Sequence, residues 1–118
     1  MNNTPKWIKD IWDKEPREKL RCVRSLEGNC KGRLTKEHAL MYAGRQIQEL
    51  GAILDMCEYH HGVCRYMDSG ALNKKVNQVI AAHKMTEEER SRYPRFNWDE
   101  LLRWRYEPSA PGLLVLQA

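Results

Sequence analysis

Cys22 and Cys30, then Cys57 and His60, give four soft metal ligands split into two pairs. Glu37-His38 and His61 add a carboxylate and two imidazoles to the same stretch. Cys57-x-x-His60 places two ligands one turn apart, which suits a tetrahedral zinc at a helix start. Cys22-x7-Cys30 supplies the other pair from a longer loop than the usual knuckle. Cys64, four residues after His60 on the same expected helix, is the alternative to His60, which it would then release. Adjacent residues on a helix point about 100° apart. His60 can therefore face a zinc while His61 faces a second site. A carboxylate and an imidazole can hold a divalent ion that stabilises charge on a phosphate. A neutral histidine can take a proton from water. Glu37, His38 and His61 together have the chemistry of phosphodiester hydrolysis, provided they converge.

Convergence needs two strands and a helix. Leu34 to Leu40 is expected as a strand ending near Glu37-His38, and Ala52 to Met56 as its partner. A helix is expected from about Glu58, broken or capped by Asp68-Ser69-Gly70. Leu72, Val76, Val79 and Ile80 then define an amphipathic helix to about His83. Thr4-Pro5 reads as an N-cap followed by a first-turn proline, with Trp7, Ile8, Ile11 and Trp12 forming an apolar face over 5–14. A second short turn is expected from Glu18 to Arg21. Arg45 to Leu50, between Gly44 and Gly51, reads as a loop or one helical turn. Thr86-Glu87-Glu88-Glu89 fits a capping box, and Asn97-Trp98-Asp99-Glu100 fits it less strictly. The chain divides into an N-terminal helical segment (1–21), a zinc-braced core (22–83), C-terminal helices (84–106) and a tail (107–118), loose or an apolar docking arm. The fold class expected is α+β: a small core of two strands and a helix, with helices on either side.

At 118 residues one domain is the natural expectation, and a core of this size is often stapled by a metal. No apolar run approaches the roughly 20 residues of a membrane span, and Met1 to Lys14 does not read as a secretory leader. A cytoplasmic, reducing setting follows as the expectation, in which clustered Cys and His are metal ligands rather than cystines. The net charge is +4. Residues 1–50 carry eleven Lys and Arg against seven Asp and Glu, whereas 51–118 carry nine of each. The basic excess leads into the metal cluster, which suits a polyanionic partner. Arg33, Lys36, Arg45, Arg65, Lys74 and Lys75 are the candidate phosphate contacts.

The segments CVRSLEGNC, LTKEHAL and AILDMCEYHH, with the helix after them, resemble the HNH, or ββα-metal, nuclease family over about residues 22–80. The resemblance extends to small HNH proteins of phages and prophages, which carry a similar EHALxYAGRQI stretch. It implies a general-base role for His38, a catalytic divalent ion (magnesium or manganese) on Glu37 and His61, and a structural zinc on Cys22, Cys30, Cys57 and His60. The implied substrate is DNA, with RNA also compatible, and the implied setting is the cytoplasm of a bacterial host. The chain departs from the pattern at Ala52, where the family usually has an asparagine that braces the loop and orients the base. Gln46 or Gln48 could take that place. Asn73 could serve as a further ligand or phosphate contact, or as a helix cap. The competing reading, which Ala52 favours, is a non-catalytic zinc-stabilised module that binds DNA or a protein partner on the same scaffold. In a protein-binding version the terminal helices and apolar tail would be the contact surfaces.

Overall fold

A computed structural model describes residues 4–16, 20–66, 70–108 and 113–117, and of residues 63–66, 70 and 113 the backbone alone. The elements run α1 (Lys6–Asp13), β1 (Leu34–His38), β2 (Met41–Tyr42), β3 (Arg45–Gln46), β4 (Ile53–Cys57), α2 (Glu58–Tyr66) and α3 (Gly70–Lys84). They continue with α4 (Glu87–Ser91), α5 (Trp98–Leu102), β5 (Trp104–Glu107) and β6 (Leu113–Leu116). The fold is α+β, with three separate two-stranded antiparallel sheets among the described residues. Among the described residues no helix is long and apolar enough to cross a membrane. The turn expected at Glu18 to Arg21 falls largely outside the described residues.

The central pair is β1 with β4, in register from Leu34 opposite Cys57 to His38 opposite Ile53. β4 is buried on both faces: Leu54 and Met56 belong to the main core, and Ile53 and Cys57 on the other face are also buried. Val76, Val79, Ala81 and Ala82 give α3 its apolar side. Gly51 is required where the loop before β4 meets the end of α3. A Cβ there would stand 2.5 Å from the Met85 Cα, and a backbone atom cannot swing aside. Gly51→Ala should therefore destabilise the fold by about 1–3 kcal/mol, the usual cost of overpacking, readable as a lower denaturant midpoint. An unchanged midpoint would show that the loop shifts freely. Ala52, beside it, is fully buried in the core.

Three local expectations change. First, the N-cap of α1 is Pro5 rather than Thr4, and it makes no side-chain cap. The Thr4 hydroxyl instead lies 3.3 Å from His38 Nε2. Second, only one edge of α1 is buried: Ile8 is inaccessible, whereas Trp7 and Ile11 are 49% and 40% exposed. Positions 7 and 11 share a stripe turned about 100° and 60° from position 8, so the apolar face splits between core and solvent. Third, Arg45 begins a two-residue strand, not a helical turn. β2 and β3 pair through Ala43-Gly44, whose φ values of 53° and 79° suit a tight two-residue hairpin turn.

The C-terminal segment locks the loop that precedes β4. Arg92 donates to both carboxylate oxygens of buried Glu49 at 3.1 and 2.7 Å, and the Tyr93 hydroxyl reaches it at 3.3 Å. The Thr86 capping box forms as expected, with both reciprocal bonds. Asn97 makes only the forward bond, to Glu100 N. Helix ends at Leu102, however, and the chain turns into β5, which pairs with β6 from Trp104 opposite Leu116 to Glu107 opposite Leu113. Part of the tail, expected loose or as an apolar docking arm, is thus a hairpin strand.

A buried polar network joins this hairpin to the cysteine loop. Arg24, 1% exposed, donates to Glu27 at 2.6 and 2.9 Å and to Asn73 Oδ1 at 2.7 Å. The Tyr106 hydroxyl donates to Glu27 at 2.6 Å. Asn73 is therefore a buried acceptor for Arg24. Desolvation raises the Glu27 carboxyl, but the bonds from Arg24 and Tyr106 outweigh it and hold it below the ordinary 4.5. A carboxyl depressed by folding stabilises above its unfolded pKa, and that contribution is lost as pH falls through the folded one. Tyr106→Phe should cost about 1.5 kcal/mol at neutral pH. The deficit should shrink as pH falls through the depressed Glu27 pKa, below 4.5, and an equal deficit at neutral and strongly acid pH would remove the hydrogen bond as its cause.

Candidate metal centre and the adjoining carboxylate–imidazole pair

The cysteine loop is shaped by left-handed residues. Gly28, Asn29 and Gly32 have φ of 82°, 63° and 81°. Gly32 also lies against the start of α2, where an added Cβ would meet Glu58 Cβ at 2.8 Å. The approach has a purpose for the backbone: Glu58 N donates to Arg33 O and Tyr59 N to Lys31 O. The loop thus satisfies helix N–H groups that have no partner within the helix. Val23 N donates to Asp55 O at 2.8 Å and ties the start of the loop to β4.

These anchors bring Cys22 and Cys30 to Cys57, the last residue of β4, and His60, in the first turn of α2. The four ligand atoms lie within 4.8 Å of one another. His60 Nδ1 stands 3.5 Å from Cys22 Sγ, 3.6 Å from Cys30 Sγ and 3.2 Å from Cys57 Sγ. One ring nitrogen carries one proton at most and cannot bond three sulfurs. A tetrahedral zinc with Zn–S about 2.3 Å and Zn–N about 2.0 Å sets its nitrogen and sulfur ligands about 3.5 Å apart. The cluster fits a metal ion such as zinc, and it is the sole such group of three or more ligands among the described residues. Cys22, Cys57 and His60 are buried, and Cys30 is exposed. Desolvation, followed by the neighbouring thiols, pushes the Cys30 thiol up to about 12. The Cys57 thiol falls below the ordinary range because backbone donation from His60 and Lys31 outweighs its burial. Burial lowers the His60 pKa and favours the neutral ring that a metal needs, while the ring also bonds the backbone of Gly28. The side chain of Cys64, the alternative ligand, lies outside the described residues.

Next to this cluster, His61 Nε2 stands 2.6 Å from Glu37 Oε2. Both side chains are about one-fifth exposed, at 23% and 20%. The other ring nitrogen, Nδ1, is 2.7 Å from Thr35 Oγ1. Thr35 and Glu37 share a face of β1 because strand side chains alternate. His38 belongs to the opposite face by the same rule, and its Nε2 meets Thr4 there. Burial lowers the His38 pKa, and the Glu37 charge and Gln48 amide pull the other way. Gln48 approaches without closing a hydrogen bond: both its amide atoms are buried with no partner among the described residues. The structure thus joins Glu37 to His61 directly, and turns His38 toward the N-terminal segment.

The candidate phosphate contacts divide. Lys36 is engaged internally, by Asp55 at 2.6 Å, Glu15 at 3.5 Å and the Trp12 ring at 4.7 Å. Lys75 pairs with Glu100 at 2.7 Å. Arg33 pairs with Glu58 but is exposed, and Arg45 and Lys74 are also exposed. The side chain of Arg65 lies outside the described residues. Thr35 escaped the sequence reading, and only its placement two residues before Glu37 could have flagged it.

No family model, curated protein or solved structure matches the chain. Its functional reading rests on its own geometry.

Proposed function

We propose that the protein is a metal-dependent endonuclease of the HNH, or ββα-metal, type that hydrolyses DNA phosphodiester bonds. The observation that carries this reading is the Glu37–His61 pair at 2.6 Å, seated on an antiparallel strand pair and the helix that follows it, beside a Cys/His cluster. Two protein ligands suit magnesium or manganese, which keep several waters and take substrate phosphate as further ligands. Neighbouring ligands of such an ion stand about 3 Å apart at metal–oxygen distances of about 2.1 Å. The pair stands closer than that, at 2.6 Å, so the Glu37 carboxylate would have to draw back to share an ion with His61. The ion would supply charge stabilisation at the phosphate and the leaving oxygen. His38, whose pKa burial lowers, is the base of this reading, and it has to turn from Thr4 to reach water on the Glu37–His61 side. Cys22, Cys30, Cys57 and His60 hold a structural zinc that fixes the loop to α2. Arg33, Arg45 and Lys74 are the exposed cations for phosphates, which position a duplex without reading its sequence.

The non-catalytic zinc module is the second reading, and two observations favour it. His38 faces Thr4 rather than Glu37 and His61. Ala52 fills a fully buried position with no polar group. Incubating supercoiled plasmid with zinc-loaded protein in magnesium, manganese or EDTA separates the two. Ion-dependent nicking is expected. Absence of nicking with either ion, at full zinc content, would leave the binding module.

A further inference from the structure

The hydroxyl of Thr35 lies between two partners. It is 2.8 Å from the carbonyl oxygen of Met56, its cross-strand neighbour, and 2.7 Å from His61 Nδ1. A carbonyl only accepts, and a hydroxyl has one proton to give. If that proton goes to Met56, Nδ1 must be the donor to Thr35 Oγ1. The lone pair of His61 then sits on Nε2, 2.6 Å from Glu37 Oε2. Two acceptors that close repel each other, so they stay together only with positive charge shared between them: the proton of an imidazolium at 2.6 Å or, once they part to about 3 Å, a divalent ion.

We propose that Thr35 is a positioning residue that fixes the Nδ1-protonated form of His61, so that His61 Nε2 and Glu37 Oε2 jointly present a site for one divalent cation. This rests on the reading that Glu37 and His61 share an ion. Thr35 touches neither ion nor substrate and acts through His61 alone. Among the described residues Thr35 is the partner of His61 at Nδ1 and Glu37 the partner at Nε2. A threonine can accept from the ring while keeping its own proton satisfied on the backbone. The side chain that orients the ring therefore leaves no buried donor unmade.

The test compares wild type with Thr35→Val, which keeps the β-branched shape and removes the hydroxyl, and Thr35→Ser, which keeps the hydroxyl. Manganese affinity is measured on zinc-loaded protein by electron paramagnetic resonance. The His61 ring protons are located by long-range nitrogen–proton NMR on metal-free and magnesium-bound samples. Loss of a ligand's orienting partner typically costs 10–100-fold in metal affinity. Thr35→Val should lose at least tenfold, Thr35→Ser should stay within about threefold, and the neutral ring should carry its proton on Nδ1 in wild type but on Nε2 in Thr35→Val. A neutral wild-type ring protonated on Nε2, or equal manganese affinity in wild type and Thr35→Val, would overturn the proposal. Wild type that binds no manganese while its neutral ring shows the Nδ1 proton would refute the shared ion and leave the Thr35 contact standing. Equal zinc content and melting temperature across the three proteins exclude a folding defect.

Discussion

Cys57→Ser should strip the protein of its zinc and remove its cooperative thermal transition. Cys57 joins β4 to α2, and its sulfur stands 3.2 Å from His60 Nδ1. Its loss leaves three ligands, of which Cys22 and His60 are buried. Zinc binding in small sites contributes roughly 10–16 kcal/mol at neutral pH because no preformed site exists in the unfolded chain. Domains of this size have a net stability of about 5–15 kcal/mol. Losing most of the metal's contribution should unfold the domain at about 37 °C. Elemental analysis should fall from one zinc per chain to none, and a strong chelator on wild type should reproduce the same melt. A Cys57→Ser protein that melts as wild type does would refute a structural role for the cluster.

His61→Ala and His38→Ala should each lower plasmid nicking by at least 100-fold, for different reasons. His61→Ala removes one of two ion ligands, so manganese affinity and cleavage fall together. His38→Ala removes the base, for which general-base catalysis is worth about 10²–10⁴-fold, while manganese affinity and DNA affinity stay near wild type. The wild-type pH profile carries the same signature. Burial lowers the His38 pKa from its ordinary 6.5, and the base works unprotonated. The rate should therefore rise with pH through a midpoint below 6.5 and be flat at neutrality. His38→Ala should abolish that limb. Undiminished nicking by His38→Ala would remove His38 from the base role, in keeping with its orientation toward Thr4.

The parts of the fold with a local signal were legible in the sequence. Thr86 and Glu89 sit three apart at a helix start and form the box that spacing implies. The metal pairs Cys57-x-x-His60 and Cys22-x7-Cys30 meet because both flank strongly patterned segments. What escaped depends on partners distant in sequence. Leu113 to Leu116 becomes a strand only because Trp104 to Glu107 lies beside it. Lys36 looks like a free surface cation until Asp55 closes on it across the strand pair and Glu15 from the N-terminal segment. Glu37 and His38 read as one functional pair because they are adjacent, yet a strand sends neighbours to opposite faces. That rule was available from the sequence and already argued against simple convergence. Thr35, two residues upstream, obeys it in the other direction.

Adjacent His60 and His61 meet different partners from one helical turn, the cysteines and Glu37, and this makes the β4–α2 junction a fixed spacer. Lengthening it by one residue would rotate everything downstream by about 100°. His61 would leave Glu37 even if the Cys/His cluster re-formed around a shifted ligand. The exposed Ala43-Gly44 turn has no such duty, because its two residues hold only a short hairpin. Length variation among natural or engineered versions of this protein should accumulate at that turn, and the four-residue interval from Cys57 to His61 should stay invariant.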